Sequence, residues 1–275
     1  MKSGFIPRTA RLETVDERIR DNHLFTFRVD KELGVAPGQF VELSLPGVGA
    51  FPVSSCAYRT GTALICCIRR AGRVTDALYR LAPGARIGVR GPFGAGFPLD
   101  AFYGRDALLV AGGLGMAPLR ALLQALLSQR ERFGEIILLY GSRDPESLLF
   151  RDELETLGRS GAVQVRFSVD FATELPWAAK SFFCRIGLVT SLLDKLALTP
   201  GRTTAAVCGP PSLYGCVLEE LARLGIPAEA IFATLERRMR CGVGECCHCV
   251  TSGVFVCCEG PVFSLARLRQ LPEAI

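Results

Sequence analysis

Residues 107–118 read Ala-Leu-Leu-Val-Ala-Gly-Gly-Leu-Gly-Met-Ala-Pro, and the turn inside them decides the fold. Ala107–Ala111 is an apolar run of strand length. Gly112-Gly113-Leu114-Gly115-Met116-Ala117-Pro118 then leads it into a helical stretch, Leu119–Arg132. Open α/β sheets bind dinucleotides beyond the carboxyl ends of their strands, with phosphates facing a helix N-terminus. Glycines there let the backbone approach a pyrophosphate, although they serve tight packing equally well. The run does not follow G-x-G-x-x-G, so a second signal is needed. Cys208-Gly209-Pro210-Pro211 supplies it, ending the strand Thr204–Cys208 and opening the helix Ser212–Leu224.

Between these turns lie the strand Glu135–Tyr140, the helix Leu148–Leu157, the strand Val163–Ser168 and a helix near Ser191–Leu196. Strands alternating with helices imply parallel βαβ units with right-handed crossovers. Ser142-Arg143 follows a third strand end, where Arg143 is placed to meet an adenosine phosphate. A solvated surface arginine is the competing reading.

Toward the N-terminus the pattern changes. Leu24–Val29, Gln39–Leu45, Ala63–Ile68 and Arg86–Val89 are short alternating or apolar runs, separated by Pro37-Gly38, Pro46-Gly47, Pro83-Gly84 and Gly91-Pro92. Such spacing indicates a barrel or sandwich, with a short helix over Val74–Leu81. Two stretches stand out, Phe51-Pro52-Val53-Ser54 and Ile68-Arg69-Arg70-Ala71-Gly72-Arg73-Val74-Thr75. The second sets basic side chains, a glycine and a hydroxyl at a helix start, a phosphate-binding nest. A charged strand end followed by a helix cap explains it equally well.

Toward the C-terminus, Cys241–Cys258 holds six of the chain's twelve cysteines. Cys241, Cys246, Cys249 and Cys257 are spaced C-x4-C-x2-C-x7-C, and the first three match the C-x4-C-x2-C run of plant-type [2Fe–2S] proteins. Gly242 and Gly244 permit the φ > 0 turns that a tight wrap around sulfide requires. Val254-Phe255-Val256 reads as a short strand returning the chain to Cys257. Structural zinc sites usually use two short knuckles, and only Cys246/Cys249 forms a convincing one here. Cysteines scattered through apolar segments suit a reduced cytosolic protein better than a disulfide framework. Cys247 and Cys258 adjoin the proposed ligands, and spacing alone does not separate them from Cys246 and Cys257. His248 reads as exposed or as a neighbour of the centre, since four cysteines are already in place.

The 275 residues allow one large or two medium domains plus an appendage. A hydrophobic fraction of 49% supports a substantial core, and a net charge of +5 with dispersed arginines gives no support for nucleic-acid binding. No apolar h-region opens the chain, and no run reaches the ~18 apolar residues that span a bilayer. The expectation is a cytoplasmic protein without direct membrane insertion.

These pieces occur in a familiar order. I-R-R-A-G-R-V-T-D-A-L, R-G-P-F-G-A-G-F-P-L-D, V-A-G-G-L-G-M-A-P-L, Y-G-S-R-D-P-E-S-L-L-F, C-G-P-P, L-E-R-R-M-R-C-G-V-G-E-C-C-H-C and C-E-G-P-V-F span nearly the whole chain. As a set they resemble the ferredoxin–NADP reductase superfamily. The match is to its branch of electron-transfer subunits with a C-terminal [2Fe–2S] cluster. That branch includes the B subunit of anaerobic sulfite reductase and sulfhydrogenase gamma subunits, and more distantly the dihydroorotate dehydrogenase electron-transfer subunit.

The resemblance implies an FAD-binding antiparallel β-barrel (residues 1–102), a parallel α/β NAD(P)-binding domain (103–235) and a small [2Fe–2S] segment with a tail (236–275). It implies that Phe51, Pro52, Val53 and Ser54 lie along the flavin, Ser54 near its N5. Cys67, Ile68, Arg69, Gly72, Val74 and Thr75 would hold the ribityl and pyrophosphate portions. Gly112, Gly113, Gly115, Met116, Ala117, Pro118, Ser142, Arg143, Cys208, Gly209 and Pro210 would serve the nicotinamide nucleotide, and Cys241, Cys246, Cys249 and Cys257 would ligate the cluster. The implied activity is that of an NAD(P)H-dependent oxidoreductase subunit. NADH or NADPH gives a hydride to the flavin, and single electrons pass through the cluster to or from a catalytic partner subunit.

Four positions depart from the superfamily pattern. Phe51 and Val53 replace the arginine and aromatic of R-x-Y-S, Leu114 replaces the threonine of G-G-T-G, and Cys247 replaces a glycine of the cluster loop. A flavin and cluster redox sensor without turnover, and a zinc-bearing interaction domain, are the readings from other classes.

Overall fold

The structure, a computed structural model, describes residues 5–17, 21–172, 183–194 and 196–271. Alternation of apolar and polar side chains builds the first layer. In β2 (Asn22–Val29) a period of two puts Phe25, Phe27 and Val29 on one buried face and leaves Arg28 in solvent. Around it stand β1 (Arg8–Asp16), β3 (Phe40–Leu45), β4 (Gly49–Ser54), β5 (Ala63–Arg69) and β6 (Arg86–Phe93), with α1 (Arg73–Leu78) between β5 and β6. The order is β4-β3-β6-β1-β2-β5, every pairing antiparallel. The edge strands β4 and β5 touch without joining the hydrogen-bond ladder, so the sheet curls into a barrel with one open seam. Phe51 and Val53 pack from β4 against the barrel core, Ile68 belongs to it, and Val74 covers it from α1.

Continuous apolar runs build the second layer. The chain runs through β7 (Asp106–Gly112), α2 (Met116–Leu127), β8 (Ile136–Ser142), α3 (Arg151–Arg159), β9 (Gln164–Val169), β10 (Phe183–Ile186), β11 (Thr203–Cys208), α4 (Pro211–Arg223) and β12 (Ile231–Thr234). The cysteine segment follows with a two-strand hairpin, β13 (Val250–Thr251) and β14 (Val254–Phe255), then α5 (Val256–Glu259), β15 (Val262–Ser264) and α6 (Leu265–Leu268). The sheet order is β10-β9-β8-β7-β11-β12-β15. All pairings are parallel except β15, which lies antiparallel to β12. Every residue of β8 and of β11 is buried, as parallel strands covered on both faces must be. One core lies under α2; the other, on the α4 side, takes in Cys249, Val254, Val256 and Cys257.

The expected α/β alternation is present, with shifted edges. The helix anticipated over Leu119–Arg132 starts at Met116 and ends at Leu127, because the chain bends into helix directly after Gly115. The helix anticipated near Ser191–Leu196 is a single 3₁₀ turn, Val189–Leu192, and Lys195 lies outside the described residues. β1, β4, β10, β12, β13 and β15 were not anticipated as strands. β1 hides its pattern behind charged side chains and a register shift between Leu12 and Thr14.

Candidate functional site: a cleft where three elements meet

Strand order reverses between β7 and β11, so their carboxyl ends form the switch point of the sheet. The two glycine turns stand there side by side. A Cβ on Gly115 would fall on the carbonyl of Cys208 and 2.7 Å from the Gly209 nitrogen, and one on Gly112 would meet Leu213 and Pro210. Gly112 and Gly115 are therefore small so that the turns can pack against each other. Gly113 differs: its φ is +50° and open space surrounds it. Its carbonyl accepts a hydrogen bond from the buried Tyr140 hydroxyl (3.1 Å), which itself accepts from the Leu149 N–H (2.9 Å).

A cavity of about 270 Å³ opens at this point. Pro52, Val53 and Ser54 from the end of β4 and Cys67 from β5 form its barrel wall. Leu114, Gly115, Ala117, Pro118 and Cys208 form the sheet wall, and residues 234–237 with Met239 close the third side. The fold thus brings β4, β5, the glycine turn and the Cys208 turn together. Phe51, Ile68, Arg69, Gly72, Val74 and Thr75 do not line the cavity; they continue along the β4–β5 seam and α1. At the start of α1 the Thr75 hydroxyl accepts from Ala71 N–H (2.9 Å) and donates to the Gly72 carbonyl (3.0 Å). Gly112, Gly113, Met116, Gly209 and Pro210 do not line the cavity, though each adjoins in sequence a residue of its sheet wall or of the same turn. Ser142 and Arg143 lie apart, at the end of β8. The buried Ser142 hydroxyl has no partner among the described residues, and Arg143 is largely exposed beside Asp144, 3.5 Å away.

Sequence reasoning missed the third wall. Thr234, Leu235, Glu236, Arg237 and Met239 follow the carboxyl end of β12, a strand too short to announce itself. Thr234 completes a buried chain of polar groups: its hydroxyl lies 2.8 Å from the Tyr214 hydroxyl and donates to the Cys208 sulfur (3.0 Å), while Tyr214 accepts from Gly209 N–H (3.3 Å). Burial pushes the Cys208 thiol up to about 12 and holds Cys67 well above the ordinary thiol range. Both therefore present neutral S–H groups and are not poised as nucleophiles. Desolvation by partial burial raises the Glu236 carboxyl above its usual range, opposed by the positive charge of Arg69. Glu236 still exposes more than a third of its surface, so that rise is modest.

Two residues beyond Met239 the cysteine loop begins. Gly242 and Gly244 take φ of +73° and +75°, and a Cβ at Gly242 would lie 2.9 Å from the Phe93 ring. The loop turns N–H groups inward. Val243 (3.5 Å), Glu245 (3.4 Å) and Cys246 (3.4 Å) donate to the Cys241 sulfur, and Gly244 donates to Cys257 (3.3 Å). Cys249 and Cys257 are buried; Cys247 and Cys258 are exposed, and all are free thiols. The Cys257 sulfur lies 3.8 Å from that of Cys258. Among the described residues no three His, Cys, Asp or Glu side chains converge as ligands of a single ion would. Inward N–H groups, unbridged sulfurs and glycines at the tight positions suit an anionic iron–sulfur centre, which such donors stabilise.

A curled antiparallel barrel set against a switch-point α/β sheet, with a four-cysteine loop at their junction, defines the ferredoxin reductase class of fold. Comparison with known proteins agrees. Residues 109–219 match the oxidoreductase NAD-binding domain, and residues 236–269 match the iron–sulfur cluster binding domain of dihydroorotate dehydrogenase B. The chain is 41% identical to sulfhydrogenase 1 subunit gamma of Pyrococcus furiosus, over 90% of this chain and 87% of that one. It is 33% identical to a probable dihydroorotate dehydrogenase B (NAD(+)) electron transfer subunit of Methanothermobacter thermautotrophicus, over 98% and 94%. Among solved structures, a chain of an NADH-dependent reduced ferredoxin–NADP oxidoreductase superposes with a TM-score of 0.75 at 22% identity, covering 100% of this chain and 94% of that one. The chain belongs to the oxidoreductase family of sulfhydrogenase gamma and dihydroorotate dehydrogenase B electron-transfer subunits. Among the described residues no helix is long and apolar enough to cross a membrane.

Proposed function

We propose that this chain moves electrons between NADH or NADPH, FAD and a [2Fe–2S] cluster, and exchanges them with a catalytic partner subunit of sulfhydrogenase or sulfite reductase type in the cytoplasm. One observation carries the reading: a single cavity is walled by the barrel seam, the switch-point turns and the segment that leads within two residues to Cys241. A nicotinamide, a flavin and a cluster bound at these three walls adjoin one another.

A flavin bound in the seam would supply acceptance of two electrons together and their release one at a time. The chain's own residues bind and orient. Pro52, Val53 and Ser54 edge the seam where an isoalloxazine fits, with the Ser54 hydroxyl as the polar group near N5. Cys67 fills the opposite side as a neutral, buried thiol. Arg69, Gly72, Val74 and Thr75 continue along the course that a ribityl and pyrophosphate chain would follow. The glycine turn and Cys208 face the nicotinamide from the sheet side. Leu114 and Met239 exclude water from the cleft. For the cluster, burial and the Gly244 N–H support Cys257 over the exposed Cys258, and inward packing supports Cys246 over Cys247.

Anaerobic titration of purified protein with each nucleotide tests the reading, with the flavin and cluster bands followed separately. Flavin bleaching followed by cluster reduction is expected, and Ser54→Ala should slow the first phase. Zinc in place of iron and labile sulfide, or a flavin that neither nucleotide reduces, refutes the proposal. The match of residues 236–269 to the dihydroorotate dehydrogenase B cluster domain favours a second partner for the same chemistry. Co-purifying subunits distinguish the two.

A further inference from the structure

Arg90 sits on β6 of the barrel with its side chain only 10% exposed, yet its contacts reach across to the cysteine segment. Nε and Nη2 donate to Glu42 Oε1 on β3, at 3.0 and 2.7 Å. Nη1 donates to the Cys241 carbonyl and Nη2 to the Arg240 carbonyl, both at 3.2 Å. The guanidinium also lies 5.5 Å from the centre of the Phe93 ring, the same ring against which Gly242 is packed. Phe93 in turn contacts Phe40, which lines the cleft, at 5.6 Å. A planar guanidinium, with five N–H donors in a fixed fork, is suited to meet a carboxylate and two carbonyls at once. Glu42 itself is 11% exposed, so the pair is costly to bury unless its remaining hydrogen-bonding capacity is used. The two loop carbonyls use it.

We propose that Arg90 is a positioning residue for the iron–sulfur centre. It fastens the backbone of the first cysteine ligand to the flavin side of the molecule, so that cluster and barrel keep one separation. The inference rests on the cluster reading above, but it concerns a residue that touches neither the cluster sulfurs nor the cleft. Groups that hold metal ligands in place cost about 10–100-fold in metal affinity when removed.

The test uses the whole chain purified anaerobically, as wild type, Arg90→Met, Arg90→Lys and Glu42→Gln. Three quantities are measured: the rate of flavin bleaching by reduced nicotinamide nucleotide, the rate of iron release to a ferrous chelator, and the electron paramagnetic resonance spectrum of the reduced cluster. Arg90→Met keeps the apolar stem and loses the fork. It should release iron about 10–100-fold faster with a shifted or broadened spectrum, while flavin bleaching stays within about twofold of wild type. Lysine keeps the charge but lacks the planar, rigid fork that spans these acceptors, so it should not rescue it. Glu42→Gln, nearly isosteric, should move the same two readouts in the same direction, and it serves should Arg90→Met fail to fold. Iron release and spectra that match wild type in Arg90→Lys and Glu42→Gln would overturn the proposal, as would flavin bleaching that falls in step with iron release. Absence of iron from the wild type would instead overturn the cluster reading itself.

Discussion

Substituting Gly115 by alanine puts the geometry of the cleft under the most direct test. The new methyl group would land on the Cys208 carbonyl and 2.7 Å from the Gly209 nitrogen. Carbon and nitrogen in ordinary contact sit about 3.5 Å apart, so one turn must retreat from the other by roughly 1 Å. Neither side can give easily, because the obstruction is backbone anchored in β11. Overpacking costs about 1–3 kcal/mol, and the rigid neighbour puts this site near the top, about 3 kcal/mol. At about 2 °C per kcal/mol for a chain of this size, the apparent melting temperature should fall by roughly 6 °C. A displacement near 1 Å at the proposed nicotinamide wall should also lower kcat/KM for flavin reduction on the order of 10²-fold. Gly113→Ala is the control. Its methyl group meets nothing, and only the left-handed φ of +50° opposes it, at about 1 kcal/mol or roughly 2 °C. Thermal melts and stopped-flow bleaching of the flavin read both effects. If Gly115→Ala melts with wild type and reduces its flavin at the wild-type rate, the two turns do not pack as described and the switch-point argument fails.

Other outcomes follow from the same geometry. Thr234→Val leaves the buried Tyr214 hydroxyl without its closest partner (2.8 Å), so chemical denaturation should show a loss of about 1–3 kcal/mol, which Thr234→Ser largely restores. Cys257→Ser should abolish iron and labile sulfide in anaerobic preparations, whereas Cys258→Ser should retain both. Cys247→Gly should retain them too and gain up to about 1 kcal/mol in denaturation, because Cys247 holds a φ of +60°. A matching loss of iron at Cys247 or Cys258 would reassign the ligands. Glu236 has its folded pKa raised above 4.5, chiefly by desolvation, so the native state binds the extra proton. Stability from this group is therefore full below pH 4.5 and declines as pH rises through the raised value. Glu236→Gln should flatten that limb by less than about 1 kcal/mol, since the side chain is exposed, and a steeper limb in the variant would show the sign to be wrong.

Much of this was legible in the sequence. The Ala107–Pro118 run, the Cys208–Pro211 turn and the cysteine spacing each combine a periodicity with a residue type that has few other uses. Legibility failed where the signal was short or dispersed. β12 and β15 have four and three residues, below the length at which alternation can be distinguished from chance. Their pairing nonetheless ties the cysteine segment to the α/β sheet, and residues 234–237 and Met239 line the cleft. Of the two uses that the sequence leaves open for these glycines, tight packing holds for Gly112 and Gly115, which admit another turn of the protein, whereas Gly113 faces open space.

By itself the sequence determined which local structures form and which chemistry is on offer. Helix and strand periods, φ > 0 glycines and thiol spacing are properties of neighbours along the chain. The tertiary structure alone decided what faces what: that β4 and β5 leave a seam, that Cys67 and Cys208 share one cavity, and that Arg90 on the barrel holds a carbonyl 151 residues away. Those relations arise from close packing and from the hydrogen-bond demands of buried polar groups, which depend on three-dimensional proximity and leave no mark on any single segment.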